Sequence, residues 1–529
     1  MKSKEIQYSD GDIESDIIHA IRTAGDVRAG VDIAEERHAL WPFEYHLSES
    51  RANLLRHVCF SGKKVLEVGG GMGAISRQIA ESCDHLQIVE GTARRVSGIE
   101  ARLRDLSNYS IFCGNFSDFN ATEKYDVVVV IGVLEYADVY IEAAGGQSAY
   151  ETFLAKARSL LTDQGVLILA IENRLGMKYF SGAGEDHTGK VFDGISGYKT
   201  GKSVRTFAKK ELCSLLDQVG FSSWVFQYPY PDYKLPNTIV AESLEEVHPQ
   251  LFANLISQGN SRDYCGTHHM YFHEGLANSS LEKTGLLGQF ANSFLVFASM
   301  EQGAIERVLD MSVVAHHYSK GRRNPTRTSF FLSPEKNVFV AKQLLRDVSV
   351  EVDYGEIIWR GSKQEKVVEG VSLFNLIRRM IAFREFPELE NEMRRYLAWA
   401  GDTFGKSGKL GGEAWDCIPQ NILIANGEYV FFDREWFLKE LFDPQYLLIR
   451  FCLTLDEYFV DILRSEYRTL LEFCAKIMGH AIASEDLRRM LEMEHGLQVK
   501  LAKLDNRFLS AQDRLNFFES STQLCERMS

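Results

Sequence analysis

The run VLEVGGGMGAIS (Val65–Ser76) holds the residues whose spacing most clearly serves ligand chemistry. Glycines at 69, 71 and 73 let the backbone turn with positive φ and approach a ligand closely. An apolar run precedes them and a helical run follows, so the helix start offers free N–H groups to a polar ligand. Gly69, Gly71 and Ala74 also satisfy a dinucleotide fingerprint, and Glu90 lies at the distance of a ribose-binding acid in either case. Glu67 separates the two readings. A carboxylate two residues before Gly69 would meet an ammonium, whereas it would repel a pyrophosphate. Further on, CGNFSDF (Cys113–Phe119) offers Asn115 and Phe116 to read and stack on an adenine, and YDVVVVIGVLEYA (Tyr125–Ala137) reads as a buried strand running into a loop.

Acceptor chemistry concentrates in AIENRLGMKYFSGAGEDHTGKVFDGISGY (Ala170–Tyr198). His187, with Asp186 beside it, is the best general-base candidate for a hydroxyl, although the pair equally suits a purely loop-shaping role. Glu172, Asn173 and Tyr179 are placed to hold hydroxyls, and Arg51 is a candidate carboxylate partner. A separate pattern lies near the C-terminus in AWDCIPQNILIANGEYVFFDREWF (Ala414–Phe437). Asp416 and Asn421 stand five apart, and Asp433 follows an apolar hairpin, the D-x-x-x-x-N…D spacing of phosphotransferases. In that chemistry Asp416 orients the accepting hydroxyl while Asn421 and Asp433 hold Mg²⁺ on ATP. Lys342, central in the apolar strand NVFVAKQLL, needs an anionic partner that a phosphate would supply. Glu351 and Glu356 are the nearest protein candidates for that role.

These residues require two kinds of scaffold. Strand-like runs at Lys64–Val68, Leu86–Glu90, Ser110–Gly114, Asp126–Ile131, Val166–Ile171, Ser223–Tyr228 and Ser293–Ala298 alternate with helical stretches, which predicts a doubly wound seven-stranded α/β sheet over residues 1–305. A polar insertion at about 231–289 is expected at its working edge. An α+β domain is expected over 306–480, with strands near Ser312–Tyr318 and Val338–Leu344 flanking the basic turn KGRRNPTR (Lys320–Arg327). A helical tail follows over 481–529, where Leu501, Leu504, Phe508, Ala511, Leu515 and Phe518 are spaced by threes and fours. That spacing fits a coiled coil that assembles homo-oligomers and equally a helix packed on its own domain.

With 529 residues the chain exceeds a single core. Its net charge of −14 argues against nucleic acid as the main partner. Nine cysteines without a C-x-x-C pair predict neither a zinc ribbon nor a disulfide framework; Cys265 with His268 and His269 is the one metal-like grouping. The polar start lacks a signal-peptide core and the longest apolar run is too short to span a bilayer. A cytoplasmic protein with at most peripheral membrane contact is therefore expected.

The order E-x-G-x-G-x-G, then Glu90, then the buried fourth strand resembles class I S-adenosylmethionine (SAM)-dependent methyltransferases over about residues 40–300. The resemblance implies SAM as cofactor, held by Glu67, Gly69, Gly71, Gly73 and Glu90, and a final antiparallel hairpin ending at Asn292–Ala298. Residues 310–480 resemble the protein-kinase fold through Lys342, Asp416, Asn421 and Asp433, with Val367–Ile377 like the interlobe hinge. They lack its Gly-rich loop, for which Lys320, Arg322, Arg323 and Arg327 are an electrostatic substitute. The combination resembles bacterial bifunctional enzymes that cap surface polysaccharides (O-antigen chains), in which methylation and phosphorylation of the terminal sugar stop growth. That resemblance implies O-methylation of a glycan, with Mg-ATP used by the second domain. Two other readings are a methyltransferase for a small-molecule acceptor with an inert pseudokinase domain, and a non-enzymatic SAM-sensing assembly protein.

Overall fold

The structure, a computed structural model, describes residues 10–27, 40–143, 146–257, 261, 264, 270–345, 349–361, 364–502 and 510–520. It divides into two compact units. The first comprises residues 1–246, 259–274 and 284–315, and the second 247–258, 275–283 and 316–529. No described helix is long and apolar enough to cross a membrane.

The first unit is mixed α/β around a large sheet. Its strands are β1 (Lys64–Val68), β2 (His85–Glu90), β3 (Tyr109–Cys113), β4 (Tyr125–Ile131), β5 (Leu161–Glu172), β6 (Ser223–Tyr230), β7 (Thr238–Ala241) and β8 (Ser293–Ser299). They lie in the order β3-β2-β1-β4-β5-β8-β6-β7. Pairing is parallel from β3 through β5, and β8 runs antiparallel to both β5 and β6. Residues Val127–Val130 of β4 are wholly buried because helices cover both faces of a parallel sheet, and Val there suits a strand buried on both sides. Strand β7, unforeseen within the 231–289 insertion, adds to β6 in antiparallel register, Tyr228 opposite Val240. Its four residues are too few to show an alternation in sequence.

The strand order reverses between β1 and β4, and a crevice for ligand opens outside the carboxyl ends at such a switch point. The turn after β1 and the loop after β4 meet there. A Cβ on Gly69 (φ 82°) would stand 2.4 Å from Val133 Cγ2. Gly70 is as constrained, since its Cβ would fall 2.7 Å from Ile88.

Strand β9 (Val313–Tyr318) spans the boundary at residue 315, and in the second unit β10 (Thr326–Leu332) and β11 (Val338–Leu344) form an antiparallel hairpin. No strand is expected from the sequence between the basic turn and Val338, yet β10 forms there and carries Arg327 opposite Gln343. Helices Leu373–Ala382 and Phe386–Phe404, the hairpin Ile422–Ala425/Glu428–Phe431 and the C-terminal helices enclose one core that includes Trp359, Tyr396, Trp415 and Tyr446. Leu501, Leu515 and Phe518 belong to that core, so these members of the predicted seam are spent inside their own unit; Leu504 and Phe508 lie outside the described residues.

Candidate active site

Glu67 lies in the buried stretch 65–68 of β1 and is 3% exposed. One of its oxygens, Oε2, accepts no hydrogen bond. Burial lifts its pKa to about 7; nearby Glu90 adds to the rise and Arg51 opposes it. Glu90, at the end of β2, accepts the N–H of Gly71 at 2.9 Å and that of Thr92 at 3.1 Å, which fixes the glycine turn. Gly71 has φ 55°, and no atom lies within 4 Å of where its Cβ would be. Gly73 (φ 79°) caps the helix Ala74–Ala80. The arrangement is a buried carboxylate beside an open backbone cradle, suited to a ligand carrying an ammonium group.

Two predicted adenine contacts are engaged elsewhere. Phe116 is buried with its ring 5.0 Å from Phe153 and Lys156 Nζ 5.2 Å from it, so its faces are covered by the protein. Asn115 caps a short 3-10 turn by accepting from Ser117 N and donates to the carbonyl of Tyr140. Arg51 is also internal, donating to the carbonyls of Tyr233 and Lys234.

Beyond β4 and β5 lies a buried charged cluster. Asp186 does not pair with His187, contrary to the general-base expectation. It binds Lys178 at 2.8 Å and also Lys234. Lys234 in turn holds Glu172 Oε1 at 2.5 Å. His187 Nδ1 meets Glu185 at 3.1 Å, and Nε2 faces Glu135 at 3.8 Å. The surrounding carboxylates, Glu172 foremost, outweigh burial and hold the imidazole pKa well above its ordinary value, which counts against His187 as a general base. Asn173 is committed to the carbonyls of Gln289 and Ala291. Glu172 Oε2, Glu135 Oε2 and the Tyr179 hydroxyl, by contrast, accept or donate no hydrogen bond. Glu135, Glu185, Lys178 and Lys234 were not singled out from sequence. Glu135 lies in the segment Tyr125–Ala137, and Lys178 and Glu185 lie in Ala170–Tyr198, but nothing in their spacing marks them.

Residues 45–165 match the family model described as nodulation protein S (NodS). Together with the strand order, this decides the architecture. The first unit has a class I SAM-dependent methyltransferase fold. No curated protein matches the chain in sequence. Among solved structures, the chain is similar to the N-methyltransferase NodS of Bradyrhizobium japonicum WM9 in complex with S-adenosyl-L-homocysteine (SAH), at 18% identity over 42% of this chain and 92% of that one, TM-score 0.26. A SAM-dependent methyltransferase from Clostridium acetobutylicum ATCC 824 aligns at 13% identity over 34% and 82% of the two chains, TM-score 0.25. Phosphoethanolamine N-methyltransferase 1 of Haemonchus contortus aligns at 12% identity over 48% and 43%, TM-score 0.28.

The second unit contains a cavity of about 720 Å³. Lys342, Asn421, Asp433, Glu435 and His317 line it, with Val338, Val340, Leu423 and Val430 as apolar wall and residues 365–370 along one side. Lys342 Nζ binds Asp433 and Glu435, each at 2.7 Å. Glu351 and Glu356 are not its partners, because they pair with Arg360 and Lys500. Asn421 donates to Asp416 at 3.0 Å. Burial raises the Asp416 carboxyl to about 6 against the pull of Arg450. In the basic turn, Arg322 is bound to Gln498 and Arg323 N–H to the carbonyl of Leu501.

Proposed function

We propose that the protein is a SAM-dependent methyltransferase that methylates a sugar hydroxyl of a bacterial glycan. The observation that carries the SAM reading is the unpartnered, buried Glu67 oxygen beside the open cradle of Gly71. Glu67 would hold the ammonium of the methionine moiety, and the helix start at Gly73 would face its polar groups. SAM supplies a methyl group on a positively charged sulfur, so the protein's task is to orient a nucleophile and accommodate its proton. Glu135 and Glu172 each offer a buried carboxylate oxygen, and burial raises the Glu135 pKa, which favours proton uptake there. Tyr179 supplies a further free hydroxyl. The sugar acceptor follows from the resemblance to polysaccharide-capping enzymes. Titration calorimetry with SAM, SAH and NAD, followed by methyl transfer from labelled SAM to sugar acceptors, tests the reading. NAD binding without SAM binding would overturn it.

A second activity is favoured by the cavity of the second unit. Lys342, Asn421 and Asp433 meet on one wall, with Asp416 bonded to Asn421. We infer that this cavity takes Mg-ATP, with Asn421 and Asp433 as metal ligands and Asp416 orienting an acceptor hydroxyl. Lys342 already carries the anionic partners that a buried lysine needs, and phosphate would exchange for them. Absence of any Mg²⁺-dependent thermal shift with ATP would leave the methyltransferase reading alone.

A further inference from the structure

We propose that Glu135, Glu172 and His187 form a divalent-cation site at the carboxyl edge of β4 and β5. One ligand atom from each, the His187 ring nitrogen and a carboxylate oxygen of each glutamate, all lie within 4.8 Å of one another. Glu135 and Glu172 are 1% and 0% exposed, and in each Oε2 accepts no hydrogen bond. A buried, unsatisfied carboxylate oxygen is costly, and two such carboxylates gathered around one imidazole have a common remedy in a bound ion.

The surroundings match a metal histidine's supporting shell. Glu185 accepts from His187 at Nδ1 through one oxygen, while its other oxygen accepts the backbone N–H groups of His187 and Thr188. That fixes the ring and leaves Nε2 directed toward Glu135. Charge points the same way. Glu135, Glu172, Glu185 and Asp186 gather beside the ammonium groups of Lys178 and Lys234, a concentration of carboxylate oxygens that suits a cation.

One imidazole and two carboxylates suit a first-row divalent ion such as Mn²⁺, and three protein ligands leave positions open for an acceptor. The site itself stands on these contacts alone. Its role, holding and acidifying the acceptor's oxygen, rests on the methyltransferase reading.

Electron paramagnetic resonance of Mn²⁺ titrated into the full chain, with SAH calorimetry in parallel, tests the site. Glu135→Gln and His187→Gln should each bind one Mn²⁺ fewer per chain than the wild type, while Asp433→Ala keeps this ion. Glu185→Gln, which perturbs only the orienting shell, should weaken Mn²⁺ binding about 10–100-fold. Retained SAH binding and an unchanged melting temperature confirm that each variant is folded, and Glu172→Gln substitutes for any that is not. A wild type that binds SAH and no Mn²⁺ overturns the cation site and spares the methyltransferase reading. Unchanged stoichiometry in the variants also overturns it.

Discussion

Lys342 and Asp433, 91 residues apart in sequence, bond at 2.7 Å on the wall of the second unit's cavity. The pair joins a strand of the β10–β11 hairpin to the loop after the hairpin Ile422–Ala425/Glu428–Phe431. Asp433→Ala should abolish any Mg²⁺-dependent stabilisation by ATP, because the change removes the charged group proposed to hold the metal. Asp416→Ala should keep that thermal shift and lose phosphate transfer. A variant at Asp433 that still shows the full shift would remove Asp433 from the metal site.

Removing the cation of that pair is expected to be destructive. Lys342→Met would leave two acidic side chains largely buried without their counter-ion, a change of about 3–5 kcal/mol. Denaturant unfolding of the second unit's transition measures it. A loss under about 1 kcal/mol would mean that solvent reaches the carboxylates.

Glu67 predicts a pH dependence. Its folded pKa of about 7 lies above the ordinary 4.5, so its contribution is fully favourable below pH 4.5 and is lost as pH rises through 7. The difference amounts to about 3 kcal/mol in the ligand-free protein. In the proposed role, holding the SAM ammonium, Glu67 must be ionised, so affinity should weaken by about tenfold per unit as pH falls below 7. Calorimetry from pH 5 to 8 checks this, and Glu67→Gln should bind weakly with a flat profile.

Gly71→Val should eliminate SAM binding. The substituent enters the open cradle, and its backbone at φ 55° costs a non-glycine residue about 1–2 kcal/mol. A melting temperature lowered by a few degrees with SAM affinity intact would relocate the ligand.

The tail predictions turn on burial. Phe518→Ala should lower stability by about 3–5 kcal/mol, since Phe518 lies fully within the second unit's core. Light scattering should show the same mass for wild type and variant. A mass that halves would restore the coiled-coil assembly.

The sequence by itself determined the local features. Glycine spacing dictated the turn after β1, because only glycine tolerates positive φ with Val133 so close, and Glu67 and Glu90 followed from strand lengths. The apolar run of β4 foretold a central parallel strand, and the late run Ser293–Ala298 its antiparallel neighbour. Asp416, Asn421 and Asp433 were legible because loop and hairpin fix their separation.

What needed the tertiary structure was every contact between distant segments. Lys342 takes Asp433 and Glu435 rather than the nearer Glu351 or Glu356, because the β-hairpin and the distant loop close on one cavity. Asp186 goes to Lys178 and Lys234, leaving its sequence neighbour His187 to Glu185 and Glu135. Successive residues in an irregular loop point in different directions, so adjacency along the chain says little about which charges meet. Phe116 turned inward for the same reason, since Phe153 comes from a helix whose packing no local pattern encodes. Desolvation is likewise a property of the whole fold. The same glutamate titrates near 4.5 in water and near 7 at the end of β1, and only assembly of the sheet removes the water.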